Sequence, residues 1–84
     1  MNKDILELYS WVLRGRQRRL VIKALQRMKT PTMIKEETKL SINNVSDILR
    51  LFVKKGIAKC LNEKAKTGRL YKLTHIGKEI VKEI

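Results

Sequence analysis

The alternation of apolar and polar residues divides the chain into helical stretches interrupted by one short hairpin. The clearest stretch is Leu40 to Gly56. At about 100° per residue, Val45, Ile48, Leu49 and Phe52 fall on one side of a helix, and Asn43, Ser46, Asp47, Arg50 and Lys54 fall on the other. Ser41 stands where an N-cap hydroxyl would accept from the backbone N–H of Asn43 or Asn44. Gly56 stands where the helix must end in a left-handed residue. Lys54 and Lys55 lie in the last turn, where cations suit the negative end of the helix dipole. Leu51 and Val53 flank the apolar stripe and widen it to about half the circumference. This predicts a helix over 42–55, gripped on several sides, with one polar strip exposed.

The other segments follow from the same pattern. Residues 3–13 are apolar nearly all round, with Ile5, Leu6, Leu8, Tyr9, Trp11, Val12 and Leu13, and need cover. That cover is either the rest of the domain or a second subunit. Arg14-Gly15-Arg16 is a break. From Arg16 to Met28 the period returns, with Val21, Ile22, Leu25 and Met28 inward and Ala24 beside them. Thr30-Pro31-Thr32 opens a short helix to Lys39, since threonine caps and proline at the first position has its φ already set. Leu40 leads straight into Ser41, so two helices meet at a tight joint, a helix-turn-helix.

After Gly56 the period changes to two. Ile57 to Asn62 and Arg69 to Leu73 read as strands, and the polar run Glu63 to Gly68 reads as a loop of about six residues between them. Ala58, Cys60, Tyr71 and Leu73 are expected inward; Lys59 and Lys72 face water. The loop and its shoulder carry Lys64, Lys66 and Arg69. A basic hairpin after such a helix, spanning 57–73, is the wing of a winged helix domain. Thr74 caps a last helix whose inward stripe is Ile76, Ile80, Val81 and Ile84, and Gly77 in its first turn predicts close approach to another element. The expected fold is mainly α with a small β-hairpin (α+β), a winged helix-turn-helix, as one domain over 1–84. Residues 1–15 form an N-terminal helical extension, and 3–13 is the candidate homodimer interface.

Charge then narrows the partner. Twenty Lys and Arg against eight Asp and Glu give a formal +12 on 84 residues. Between Arg14 and Lys35 there are eight cations and no acid. Such an excess points to a polyanion, with phosphate contact by part of that segment, against the plainer reading of a solvated lysine-rich face. No segment has the pattern of a signal peptide or the length and apolarity of a transmembrane span. The one cysteine, Cys60, excludes an internal disulfide, and a cytoplasmic location is expected. No paired carboxylates, glycine-rich phosphate loop or nucleophile–base constellation is present, so the chain is not read as an enzyme. Cys60 and His75 fall short of the four ligands of a structural metal site, and no metal or cofactor is expected. Cys60 is read as a small, buried strand thiol rather than a redox switch, and His75 as a solvated residue opening the last helix.

The order of elements resembles the winged helix-turn-helix regulators of the MarR and ArsR type, most closely the small archaeal members. Thr30-Pro31-Thr32, Leu40-Ser41 to Val45-Ser46, Lys55-Gly56-Ile57, and Gly68 to Thr74 followed by Gly77 carry the resemblance, which covers about residues 16–84. It implies a DNA-binding transcription regulator, commonly a homodimer on a two-fold related site. By position, Asn43, Asn44, Ser46, Asp47 and Arg50 match base-contacting positions of the recognition helix in the major groove. Lys64, Lys66 and Arg69 match the wing; together with Thr32 and Lys54 they are the expected contacts to the DNA backbone or adjacent minor groove. Two departures stand out. One short helix follows the wing where many MarR-type members have long dimerisation helices, and the metal-sensing cysteine motif of ArsR-type sensors is absent.

The polar strip also has a chemistry of its own. Asn can pair with adenine through two hydrogen bonds and Arg with guanine, whereas Asp47 could accept from cytosine, repel phosphate or hold Arg50. The sequence therefore predicts a sequence-specific double-stranded DNA-binding regulator. The alternatives are an architectural, chromatin-like DNA binder and a winged helix used for protein or RNA contact. Operator, direction of regulation and effector have no signature in the chain.

Overall fold

A computed structural model describes residues 1–84. The elements are α1 (Lys3–Leu13), α2 (Arg16–Ala24), α3 (Pro31–Thr38), α4 (Ile42–Lys54), β1 (Ala58–Cys60), β2 (Tyr71–Leu73) and α5 (His75–Lys82). Each boundary has a local cause. The Asn2, Thr30, Ser41 and Thr74 side chains accept from the backbone N–H of Ile5, Met33, Asn44 and Gly77, satisfying donors the helices cannot. Gly56 ends α4 at φ +78°. The turn between α3 and α4 passes through Lys39 at φ +65°, a left-handed conformation on a residue with a Cβ. Thr38 Oγ1 braces this turn, donating to the Ile34 carbonyl at 2.7 Å and accepting from the Leu40 N–H.

The core is a single apolar cluster with no buried polar or charged residue. Phe52 of α4 belongs to it with Val12 of α1, Ile22 of α2, Ile34 of α3, Ile80 of α5 and Ile57, so all five helices and the base of the hairpin share one interior. Val45, Ile48, Leu49 and Phe52 are the buried face of α4, as their spacing requires. Helix α1 covers α2 and α5. Val12 is fully buried, and Ile5, Leu8, Tyr9 and Trp11 pack against the core. The Trp11 ring meets Phe52 edge-on at 5.9 Å, with Arg18 and Lys55 over it at 4.4 and 4.7 Å. Much of the apolar surface of 3–13 is thus covered within its own domain, while Leu6 stays 51% exposed.

Strands β1 and β2 pair antiparallel, with Ala58 opposite Leu73, Lys59 opposite Lys72 and Cys60 opposite Tyr71. Both are shorter than their sequence suggests, because side chains take over from the ladder. The Leu61 N–H still donates to the Leu70 carbonyl, but the Leu70 N–H donates to the Asn62 side chain at 2.7 Å. The hairpin also gains a third backbone. Lys29 exchanges both hydrogen bonds with Tyr71, at 3.1 and 2.9 Å, so the turn after α2 is tied to the wing.

Helix α5 is seated against the start of β1. The Thr74 N–H donates to the Ile57 carbonyl at 3.0 Å, and its hydroxyl lies 2.6 Å from the Gly56 carbonyl. A Cβ on Gly77 would stand 2.2 Å from the Ile57 oxygen, which explains the glycine in that turn.

Three expectations need correction. Met28 is 53% exposed, because α2 ends at Ala24 and the chain turns toward Tyr71 before Met28 can join the inward face. Leu51 and Val53 are exposed, so α4 is buried along a narrower stripe than supposed. Cys60 is half-buried, because β1 ends there and its outer side opens to the wing loop.

Candidate nucleic-acid interface

The outer side of α4 carries two lanes separated by a crest. The residues lining the adjacent grooves define them. Ile42, Ser46, Arg50 and Val53 border a groove of about 750 Å³ that lies between α4, the start of α3 and the wing. Asn44, Asp47 and Leu51 border a second groove, opposite Gly15, Arg16 and Arg18 at the start of α2. Asn43 and Lys54 line neither groove; both are exposed, on the crest between the two lanes.

The expected site residues are therefore brought onto one helix but divided among its lanes. Arg50 and Asp47 cross from one lane to the other, paired at 3.1 Å. Both side chains are exposed, so the pair adds little stability. Its effect is geometric: the carboxylate limits where the guanidinium can swing. Of the expected backbone-contacting residues, Thr32, Lys66 and Arg69 line the wing-side groove, facing Ser46 and Arg50. Lys64 lies on the other side of the loop, in a shallower depression with Cys60 and Leu61.

The wing loop is ordered by its own residues. Asn62 accepts from Leu70 N–H and its amide donates to the Gly68 carbonyl at 3.2 Å. Arg69 Nε donates to the Ala65 carbonyl at 2.9 Å, and Gly68 turns the chain at φ +65°. Arg69 is thus held by its stem rather than free, which fixes where its remaining donors lie. Sequence reasoning passed over Asn62, which read only as a strand end. An Asn flanking a hairpin loop can stand in for a backbone pair, since its side chain offers both an acceptor and a donor. Ile42 and Val53 were also missed as groove residues. Ile42 precedes Ser46 by four, a spacing that puts the two on one face.

The run of cations from Arg14 to Lys35 does not act as one surface. Arg18 Nη1 donates to the Trp11 carbonyl at 2.6 Å, and Arg19 Nη1 donates to the Leu13 carbonyl. Both cap the C-terminal end of α1, where carbonyls lack partners and the dipole is negative. Lys29 pairs with Glu37. Arg16 is exposed beside Asn44 and Asp47 and extends the cationic margin of α4. No three His, Cys, Asp or Glu residues gather as a metal site would need, and no helix is long and apolar enough to cross a membrane.

No family model and no curated protein matches the chain. Solved structures do. A mutant of TubR, a protein of type III plasmid segregation, superposes with a TM-score of 0.80 at 20% identity, covering 98% of this chain and 90% of TubR. The reduced form of MarR from E. coli superposes with a TM-score of 0.76 at 21% identity, over 96% of this chain and 62% of MarR. The oxidised form gives 0.70 at 23% identity, over 94% of this chain and 59% of MarR. The chain thus spans about three fifths of MarR and nearly all of TubR. Five helices and one antiparallel hairpin in this order, superposing on those proteins over almost its whole length, make the fold of this chain a winged helix-turn-helix.

Proposed function

We propose that the chain is a sequence-specific double-stranded DNA-binding transcription regulator. One observation carries this: the exposed outer side of α4, with Asn43, Asn44, Ser46, Asp47 and Arg50, stands beside a groove whose far wall is the cationic wing. An α-helix fits the B-DNA major groove, and Asn and Arg match the donor–acceptor patterns of adenine and guanine there. With α4 in the major groove, the wing reaches the flanking backbone or minor groove through Lys64, Lys66 and Arg69. Lys54 and Thr32 meet phosphates at the two ends of the contact. The net +12 supplies the attraction common to every sequence. TubR, which superposes over 98% of this chain, is a protein of plasmid segregation, and this supports a DNA-facing reading.

The test is selection of the purified chain on a random duplex pool near physiological salt. Enrichment of one motif supports the proposal. Binding without enrichment turns it to the architectural reading, and no binding at low salt overturns DNA as partner.

A two-fold symmetric motif would also bear on the dimer. We place the dimer contact on α1, because Leu6 and Leu13 remain exposed on that helix. Leu6→Lys should halve the mass measured by sedimentation, and an unchanged mass would remove α1 from the interface. A cytoplasmic location goes with this role.

A second reading has its own support. TubR, a protein of plasmid segregation, superposes with a TM-score of 0.80, against 0.76 for reduced MarR. A part in DNA segregation rather than transcription accords with that. Deleting the gene and following both DNA retention and neighbouring transcripts separates the two roles.

A further inference from the structure

Helix α4 carries three exposed apolar side chains outside its buried stripe, Ile42, Leu51 and Val53. Ile42 differs from the other two by its place. It is the first residue of the helix, 40% exposed, and it neither belongs to the core nor packs against it. It lines the α4–wing groove in one lane with Ser46 and Arg50. Leu51 and Val53 lie about 14 and 17 Å further along the axis, in the last turns. The first turn of α4 also has no acidic residue, although a carboxylate there would suit the helix dipole. Ile42, Asn43 and Asn44 leave that end of the helix uncharged, so it adds no repulsion toward phosphates.

An isoleucine side chain neither donates nor accepts a hydrogen bond, so a base edge that it covers must offer apolar surface. Covering a purine N7 or O6, or a cytosine amino group, would strip water from a polar atom and return nothing. The major-groove edge of B-DNA presents one apolar group, the C5-methyl of thymine. A recognition helix meets base edges through its N-terminal residues, which puts Ile42, rather than Leu51 or Val53, against the bases. We propose that Ile42 covers the C5-methyl of a thymine and thereby sets a thymine preference at one edge of the bases read by α4. This rests on the DNA-binding reading of α4. It adds to that reading a residue that selects by shape and exclusion of water, beside Asn43, Ser46 and Arg50, which select by hydrogen bonds. Ile42 to Arg50 spans about 12 Å of helix axis, and base pairs rise by about 3.4 Å, so the thymine lies within about four base pairs of the base met by Arg50.

The test uses the whole chain and the duplex motif enriched from the random pool. Each thymine is replaced in turn by deoxyuridine, which lacks only the methyl group, and affinity is followed by fluorescence anisotropy. At one thymine per recognition helix the affinity should fall about fourfold, the effect of leaving one methyl-sized group unburied. With cytosine at that position, 5-methylcytosine should bind about fourfold more tightly than the unmethylated base, although both offer the same hydrogen-bonding edge. Ile42→Ala should abolish both differences, and Ile42→Val, which keeps the branched Cβ, should retain part of them. Both variants should keep the helical dichroism of the parent, since Ile42 lies outside the core. If no duplex binds, or no motif is enriched, the sequence-specific reading of α4 falls and this proposal with it. If a motif is enriched but deoxyuridine is tolerated at every thymine, or the methyl effect survives Ile42→Ala, this proposal alone is overturned.

Discussion

Replacing Gly77 with alanine tests the seating of α5. In an ordinary helix position this change stabilises, because alanine is favoured over glycine by about 1 kcal/mol. Here the sign should reverse. The new Cβ would lie 2.2 Å from the Ile57 oxygen, and real Cβ contacts stay above 3.0 Å, so α5 or the start of β1 must retreat by at least 0.8 Å. The Leu73 side chain, with Cδ2 at 3.0 Å from the same Cβ, blocks an easy sidestep. Overpacking of this kind costs about 1–3 kcal/mol. The retreat also stretches the Thr74 bonds to the Gly56 and Ile57 carbonyls, each worth about 0.5–1.5 kcal/mol. Set against the helix-propensity gain, the net loss is about 2–3 kcal/mol, a large share of the roughly 4–13 kcal/mol usual for a domain of this size. The midpoint of thermal unfolding, followed by circular dichroism at the helical band, should fall by about 10–20 °C. A variant as stable as the parent, or more so, would refute the close approach and leave α5 loosely docked.

Other perturbations separate the roles proposed above. Lys39→Gly should raise stability by about 0.5–1 kcal/mol in urea unfolding, since glycine enters φ +65° without the Cβ clash; a loss would mean that the turn is relaxed as it stands. Asn62→Ala should lower global stability by about 1 kcal/mol or less while hydrogen exchange at the Leu70 amide accelerates, and an unchanged amide would show that the loop closes without it. Arg50→Ala should cost about 1–3 kcal/mol on the selected motif and much less on unrelated duplexes; equal loss on all would exclude base readout at this residue. Lys64→Ala and Lys66→Ala should weaken every duplex alike and lower the salt slope by up to about one each, a result that an unaltered slope would contradict.

Much of the fold is legible because local signals agree. Thr30-Pro31, Ser41, Gly56 and Thr74 mark helix ends by mechanisms that need no tertiary partner, and all four act as their chemistry demands. Val45, Ile48, Leu49 and Phe52 fix the buried face of α4 by period alone. What escapes is whatever depends on distant partners. Met28 fits the helical period, yet pairing of Lys29 with Tyr71 ends that helix early, and nothing in residues 16–28 announces a strand forty residues on. Arg18 and Arg19 belong to a cationic run in sequence, but the carbonyl end of α1 claims both. At the candidate interface, periodicity places the residues on one side of α4. Their division into a wing-side lane and an α2-side lane requires knowing where the wing stands.

The packing of Trp11 gives the molecule an optical consequence. It is the only tryptophan in the chain, its ring edge lies on Phe52, and Lys55 at the end of α4 covers it. Excited at the red edge of its absorption, the indole emits from a single place: the seam between α1 and α4. Its fluorescence therefore reports whether those two helices are docked, not whether the domain as a whole is folded. If α1 peels away while the core persists, emission will shift to longer wavelength before helical dichroism is lost. If DNA draws the end of α4 outward, the same indole will register the movement without any attached dye.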